Sequence, residues 1–252
     1  MEVMIQHFML ILMRLASFIW IAPGFSSRQV PTRSKIVLST GLGLAVYNLI
    51  ETPETTFTLG VFVFLVLKEV LIGVAIGFIM VLFFSAVEMA GNFVDFQVGF
   101  SMAMQYDPAL GVNASFYGRL YYWITIMIFF LLDIHHHVIR TLVRSYEYIP
   151  LTQVEFPYMG TEGIVQIFVQ MFEVALNLAF PLIIVALSAE IVLALLSRTV
   201  PQINVLILGM PMKILLSMAF MFVFLPIIIE NITDIFPDML QTIMDFIQSL
   251  AT

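Results

Sequence analysis

The run from Leu59 to Met89 is longer than the roughly 20 residues a helix needs to cross a bilayer, and it constrains the chain more than any other feature. Further apolar runs, Val3 to Ala22, Ile36 to Ile50, Leu120 to Leu132, Ile164 to Ser197 and Ile203 to Ile229, must likewise be covered by hydrocarbon or by protein. With 61% hydrophobic and 11% charged residues in 252, the chain lies well above the roughly 45–50% apolar share of soluble domains. Its mean hydropathy is +1.04. The expectation is an all-α integral membrane protein, built of helical hairpins as one domain over residues 1–252.

What is missing narrows the function. Without cysteine there is no disulfide framework, thiolate metal site or thiol nucleophile. The net charge of -7 and ten scattered Lys and Arg residues exclude a phosphate-tracking surface, so no nucleic-acid partner is expected. No Gly-rich phosphate loop, HExxH, GxSxG or internal repeat occurs. The reading is therefore non-enzymatic, with no catalytic residue and no cofactor. The N-terminus lacks the basic start of a signal peptide and is expected to be retained.

Charges inside apolar runs mark faces that lipid cannot cover. Arg14 would cost roughly 2.5–3.5 kcal/mol at the centre of a membrane helix, and His7 lies two turns away on the same face. That face is expected to meet protein or water. Arg28, Arg33 and Lys35, around Pro23 and Pro31, place their loop in the cytoplasm by the positive-inside tendency. Ile36 to Ile50 then pairs with the first run as a hairpin. In KEVLIGVAIGF, Glu69, Gly73 and Gly77 recur every four residues on one helix face and form a contact stripe. Lys68 is expected to point elsewhere. Glu173, Asn177 and Pro181 share a face of the Ile164 to Ser197 run, where Pro181 should kink the helix. Arg198, Pro201 and Gln202 belong to a tight polar turn before the last long run, giving a second hairpin. Pro237 is expected to open a separate amphipathic helix over 237–252, with Leu240, Ile243, Ile247 and Leu250 on one face.

The His run of DIHHHVIR raises a metal site. Neighbouring imidazoles project about 100° apart on a helix, so Asp133 and His137 can share an ion while the three imidazoles do not converge. The preferred reading is a helix end at an interface, beside Arg140 and Arg144, with no metal.

Residues 91–119, GNFVDFQVGFSMAMQYDPALGVNASFYGR, join two apolar runs but are too interrupted to be a third. Gly99, Pro108, Gly111 and Gly118 break regular helix. Phe100, Met102, Met104, Tyr106 and Phe116 bring apolar mass that water would not tolerate. Flexible methionines among aromatics suit a deformable seal. A loop packed on neighbouring helices is the plainer alternative.

Three motifs in this order, KEVLIGVAIGF, AGNFVDFQVGFSMAMQYDP and SRTVPQINVLILGMPMK, resemble the FliR family, the membrane component of flagellar and related type III secretion export gates. The resemblance runs over nearly the whole chain. It implies broken, tilted hairpins that stack with P- and Q-type membrane proteins into a helical hetero-oligomeric pore. Unfolded proteins leave the cytoplasm through that pore, in the bacterial inner membrane at the basal body of a flagellum or injectisome. It also implies contact with the larger export switch membrane protein. Much of the assembly would stand above the membrane plane.

On that resemblance the loop at 97–118 helps close the pore. Phe100, Met102, Met104, Tyr106 and Phe116 are the plug candidates, and Gly99, Pro108 and Gly111 its hinges. Glu69, Gly73, Gly77, Glu173, Asn177, Pro181, Arg198, Pro201 and Gln202 are assigned to helix packing and assembly. The alternative is a small-molecule, proton-coupled secondary transporter using Glu69 or Glu173.

Overall fold

The computed structural model describes residues 2–27, 29–50, 56–100, 115–152, 161–199 and 205–250. Among them are seven helices: α1 (Glu2–Ile21), α2 (Thr32–Tyr47), α3 (Leu59–Val98), α4 (Phe116–Leu131), α5 (Ile134–Tyr148), α6 (Thr161–Thr199) and α7 (Val205–Ser249). The all-helical expectation holds. α1, α3, and the stretches Val165–Thr199 and Gly209–Ser249 are each long and apolar enough to cross a membrane. α4 and α5 supply a fifth span if the pair counts as one helix broken by a 72° bend.

The chain divides into two compact units. The first comprises Met1–Phe83, Phe129–Ile164 and Phe236–Thr252; the second comprises Phe84–Ile128 and Val165–Ile235.

In the first unit, α1 buries His7, Leu10, Ile11, Arg14, Leu15, Phe18 and Ile19, a three-and-four spacing that makes one continuous face. Gly24, at φ +85°, lets the chain turn back after α1. α2 then closes the expected hairpin, with Gly43 set against Phe8 and Leu12 of α1. Lys35 donates to the Ser26 carbonyl at 2.8 Å, tying α2 to the preceding turn. α5 is amphipathic, burying Val138, Leu142, Ser145 and Tyr146 and exposing Arg140 and Arg144. The second unit buries Ala90, Val94 and Val98 of α3, Tyr117 and Tyr121 of α4, Ala175, Leu178 and Leu182 of α6, and Ile228 and Ile232 of α7.

Two expectations need correction. Residues 91–98 are not part of a loop: α3 continues through Gly91 to Val98, and Gly118 sits inside the first turn of α4. No helix starts at Pro237, because α7 runs unbroken through Pro211, Pro226 and Pro237. Its buried face, Ile232, Ile235, Phe236, Met239, Ile243, Phe246, Ile247 and Leu250, crosses Pro237 without interruption, and side-chain burial offsets the amide lost to proline. Of the expected stripe, Ile243, Ile247 and Leu250 are buried and Leu240 is half-buried. α6 also carries a proline, Pro181, within its helix.

Candidate functional site

Where α3 ends and α4 begins, two glycines allow the backbones to touch. A Cβ on Gly91 would run into the backbone of Tyr117 and Gly118, and one on Gly118 would strike Ser115 Oγ and Asn92 Oδ1. One turn beyond Gly91, this approach delivers the buried Asp95 to the first turn of α4. Asp95 Oδ2 accepts a hydrogen bond from Ser115 Oγ at 2.5 Å. Its carboxylate also accepts the amide N–H groups of Tyr117, at 3.1 and 3.2 Å, and Gly118, at 3.3 Å.

These amides are among those a helix N-terminus leaves without intrahelical partners. Ser115, in the N-cap position, accepts the Gly118 amide at 3.0 Å as Ser commonly does there. Asp95 adds a second cap from a different helix, and the helix dipole favours a carboxylate at that end. Tyr117 extends the cluster, donating to Ser217 Oγ of α7 at 2.9 Å.

The segment anchored here carries the plug candidates. Gly99 follows the last residue of α3 at φ +99°, and its N–H donates to the Asp95 carbonyl at 3.1 Å. The nearest atom to a Cβ there is Met210 Cγ at 4.0 Å, so conformation and not space calls for glycine. Phe100 stacks on Phe116 at 5.6 Å between ring centroids, and Tyr117 stands edge-on to both, at 6.1 and 5.2 Å. Met102, Met104, Tyr106, Pro108 and Gly111 lie outside the described residues.

The assembly candidates divide sharply. Glu69, Gly73 and Gly77 are buried, and their stripe is the contact of α3 with α1. A Cβ on Gly73 would collide with Ser17 Oγ and the Arg14 carbonyl, and one on Gly77 would lie 3.2 Å from Ile21. Glu69 accepts from Arg14 Nε at 2.5 Å, and Lys68 Nζ lies 3.2 Å from its other oxygen. Arg14 also donates to Ser145 Oγ at 2.8 Å and the Ile149 carbonyl at 3.0 Å, with Tyr146 against its guanidinium at 4.0 Å. Lys68 donates to the Pro150 carbonyl at 3.0 Å.

The expectation that Lys68 points elsewhere is thus wrong, because its flexible stem lets the ammonium turn back toward Glu69. Arg14 stood out in the sequence as a lone charge in its apolar run, and Glu69 as a carboxylate in another with Lys68 beside it; each had to find a partner. Ser145, Tyr146 and the carbonyls of 149 and 150 gave no such signal.

By contrast, Glu173, Asn177 and Arg198 are exposed and Pro181 is half-buried. Pro201 and Gln202 lie outside the described residues. Glu190 of α6 accepts from Lys213 of α7 at 2.9 Å and from Gln97 of α3 at 3.4 Å. With Leu193 beside Gly209, the pairing of 190 with 213 makes α6 and α7 the antiparallel hairpin expected. Asp133 approaches His135 and His136, while His137 is exposed. That arrangement corrects the pairing of Asp133 with His137.

Residues 5–239 match the family described as bacterial export proteins, family 1. The flagellar biosynthetic protein FliR of Bacillus subtilis is 29% identical over 244 residues, covering 95% of this chain and 94% of its own. The Aquifex aeolicus protein of the same name is 28% identical over 240 residues, with 95% and 93% coverage. The Yop proteins translocation protein T of Yersinia pestis is 36% identical over 186 residues, covering 72% of this chain and 70% of its own.

Proposed function

Because the chain belongs to bacterial export proteins, family 1, a membership spanning residues 5–239, we propose that it helps form the protein-conducting pore of a flagellar-type export gate. It is a membrane component of a flagellar or type III export apparatus, as the names of its relatives indicate. On this reading it assembles with P- and Q-type membrane proteins and the larger export switch protein in the bacterial inner membrane. Unfolded substrates pass through the assembly, and the segment 97–118 helps close it at rest.

The observation that carries the gating part is the double anchorage beneath that segment. Gly99 and Ser115 both bond to Asp95, one to its carbonyl and the other to its carboxylate. The described residues on either side of 101–114, the stretch that holds Met102, Met104 and Tyr106 in sequence, are therefore both held to one turn of α3. Holding both flanks to one turn limits how far apart they can move, as a closing segment between them requires.

The test replaces 101–114 with a Gly and Ser linker and leaves Asp95, Ser115 and Phe116 in place. The expected outcome is a membrane that leaks ions while P- and Q-type partners still co-purify. Unchanged leakage with normal assembly sinks the seal. Loss of both partners from the wild-type complex sinks the pore reading itself.

A further inference from the structure

We propose that Asp133, His135 and His136 form a site for a divalent transition-metal ion of the zinc class. The inference goes beyond the export-gate reading and does not rest on it.

The sequence DIHHH alone does not make such a site, since consecutive imidazoles fan out around a helix. The backbone resolves this by leaving Asp133 outside α5 in the left-handed conformation, at φ 55° and ψ 22°. Asp133 occupies the N-cap position, where an Asp side chain normally accepts an amide from the first turn. Here it makes no such bond, and the His136 amide donates instead to the Asp133 main-chain carbonyl at 2.9 Å. The carboxylate is turned toward the imidazoles. Its Oδ1 lies 3.3 Å from His136 Nδ1 and 3.9 Å from His135 Nε2, and the three ligand atoms all fall within 4.8 Å of one another.

Zinc–nitrogen bonds of roughly 2.0–2.1 Å in a tetrahedron separate neighbouring ligand atoms by about 3.3 Å. One edge of the trio already has that length, and the next is within about 0.6 Å of it. The two ring centroids lie 4.1 Å apart, and one nitrogen of each ring lies within 4.8 Å of the other and of the Asp133 carboxylate oxygen.

The surroundings fit an ion entering from outside. The side chains of Asp133 and His136 are 70% and 60% exposed, leaving room for the ion and a fourth ligand, either water or a partner group. That of His135 is 20% exposed and backs onto Phe129 and Phe130, which fix its ring. Its other nitrogen, Nδ1, is buried with no hydrogen-bond partner among the described residues, so no bond elsewhere sets the tautomer. Ligation through Nε2 would set it. Two imidazoles and one carboxylate are borderline donors that select zinc, nickel, cobalt or ferrous iron over calcium and magnesium. Ligation would bind the carboxylate before α5 to the helix's first turn.

The experiment uses the full chain in detergent, purified without a histidine tag, stripped with a chelator and titrated with zinc against a chromogenic chelator. Wild type is expected to hold one zinc per chain. Asp133→Asn and His136→Gln should each weaken it at least roughly tenfold, the lower end of what removing even an outer-shell partner costs. His137→Gln should leave it unchanged. Cobalt loading should give the absorption of a four-coordinate ion in wild type and His137→Gln only. Circular dichroism on each variant checks that α-helix content is retained. Equal zinc affinity in all four proteins overturns the site, as does a His137→Gln protein that loses zinc as fully as His136→Gln.

Discussion

α3 and α7 are nearly equal in hydropathy, 2.8 and 2.4 over their most apolar stretches, yet 56% of that stretch is buried in α3 and only 17% in α7. Apolarity therefore does not say what covers a helix. The charges and glycines do. α3 carries Lys68, Glu69 and Asp95, all buried and partnered, and Gly73, Gly77 and Gly91, each pressed against another backbone or a branched side chain. α7 instead exposes Leu215, Phe222, Val223 and Ile227 along one stretch. An apolar surface of that extent needs lipid or another chain over it. The most apolar stretch of α3 is organised largely by its own protein, whereas that of α7 is left largely to its surroundings.

The largest effect should come from removing the centre of the α3 cluster. Glu69→Ala leaves Arg14 and Lys68 buried without their anion, and should cost about 3–5 kcal/mol of stability, measured by denaturant titration in detergent. Replacing all three with matched apolar residues, Arg14→Met, Lys68→Met and Glu69→Leu, should recover most of that loss. A triple variant as unstable as Glu69→Ala would mean that packing, and not charge, makes α3 differ from α7.

Gly73→Val comes next. The added side chain meets the Arg14 carbonyl and Ser17, and should cost at least about 1–3 kcal/mol in the same assay. Gly41→Ala is its counterpart in α2, where nothing lies within 4 Å, and should stabilise by about 0.5–1 kcal/mol. Equal effects of the two would remove the case for a contact stripe.

Asp95→Ala removes the second cap of α4. A loss of about 1–2 kcal/mol is expected, together with faster amide exchange at Tyr117 and Gly118. Exchange that stays unchanged would mean Ser115 alone holds the turn.

The smallest effects belong to the exposed side of the comparison. Glu190→Gln should shift stability by less than about 1 kcal/mol, because the Glu190 side chain is 54% exposed and solvent screens its pair with Lys213. Phe222→Ala should change the isolated chain by no more than about 0.5 kcal/mol, since the ring covers little of its own protein. If α7 meets partner chains, the same substitution should reduce the P- and Q-type proteins recovered in pull-downs. A large loss of monomer stability would show that α7 is covered internally after all.

Much of the fold was legible because it follows from local chemistry. Runs of apolar residues too long for water dictate helices, and a lone Arg14 in one run and Glu69 in another each demand a partner. The four-residue spacing of Glu69, Gly73 and Gly77 placed them on one face before their neighbour was known. Gly99 was readable as a break, and the structure gives the reason in its positive φ. The capping role of Asp95 was not readable. It lies far along the chain from the amides it accepts, and only the glycine contact of 91 with 118 brings it there.

The sequence by itself determined an all-helical membrane protein of the export family, with its buried charges obliged to pair and its glycine stripe obliged to face a helix. Only the tertiary structure decided which charges meet, that Lys68 joins Glu69, that α7 continues through Pro237, and that Asp133 turns to His135 and His136. Composition and period act within a few residues along the chain. Pairing a charge, capping a helix or carrying one past a proline depends on atoms supplied by distant segments, and no local pattern encodes where those will be.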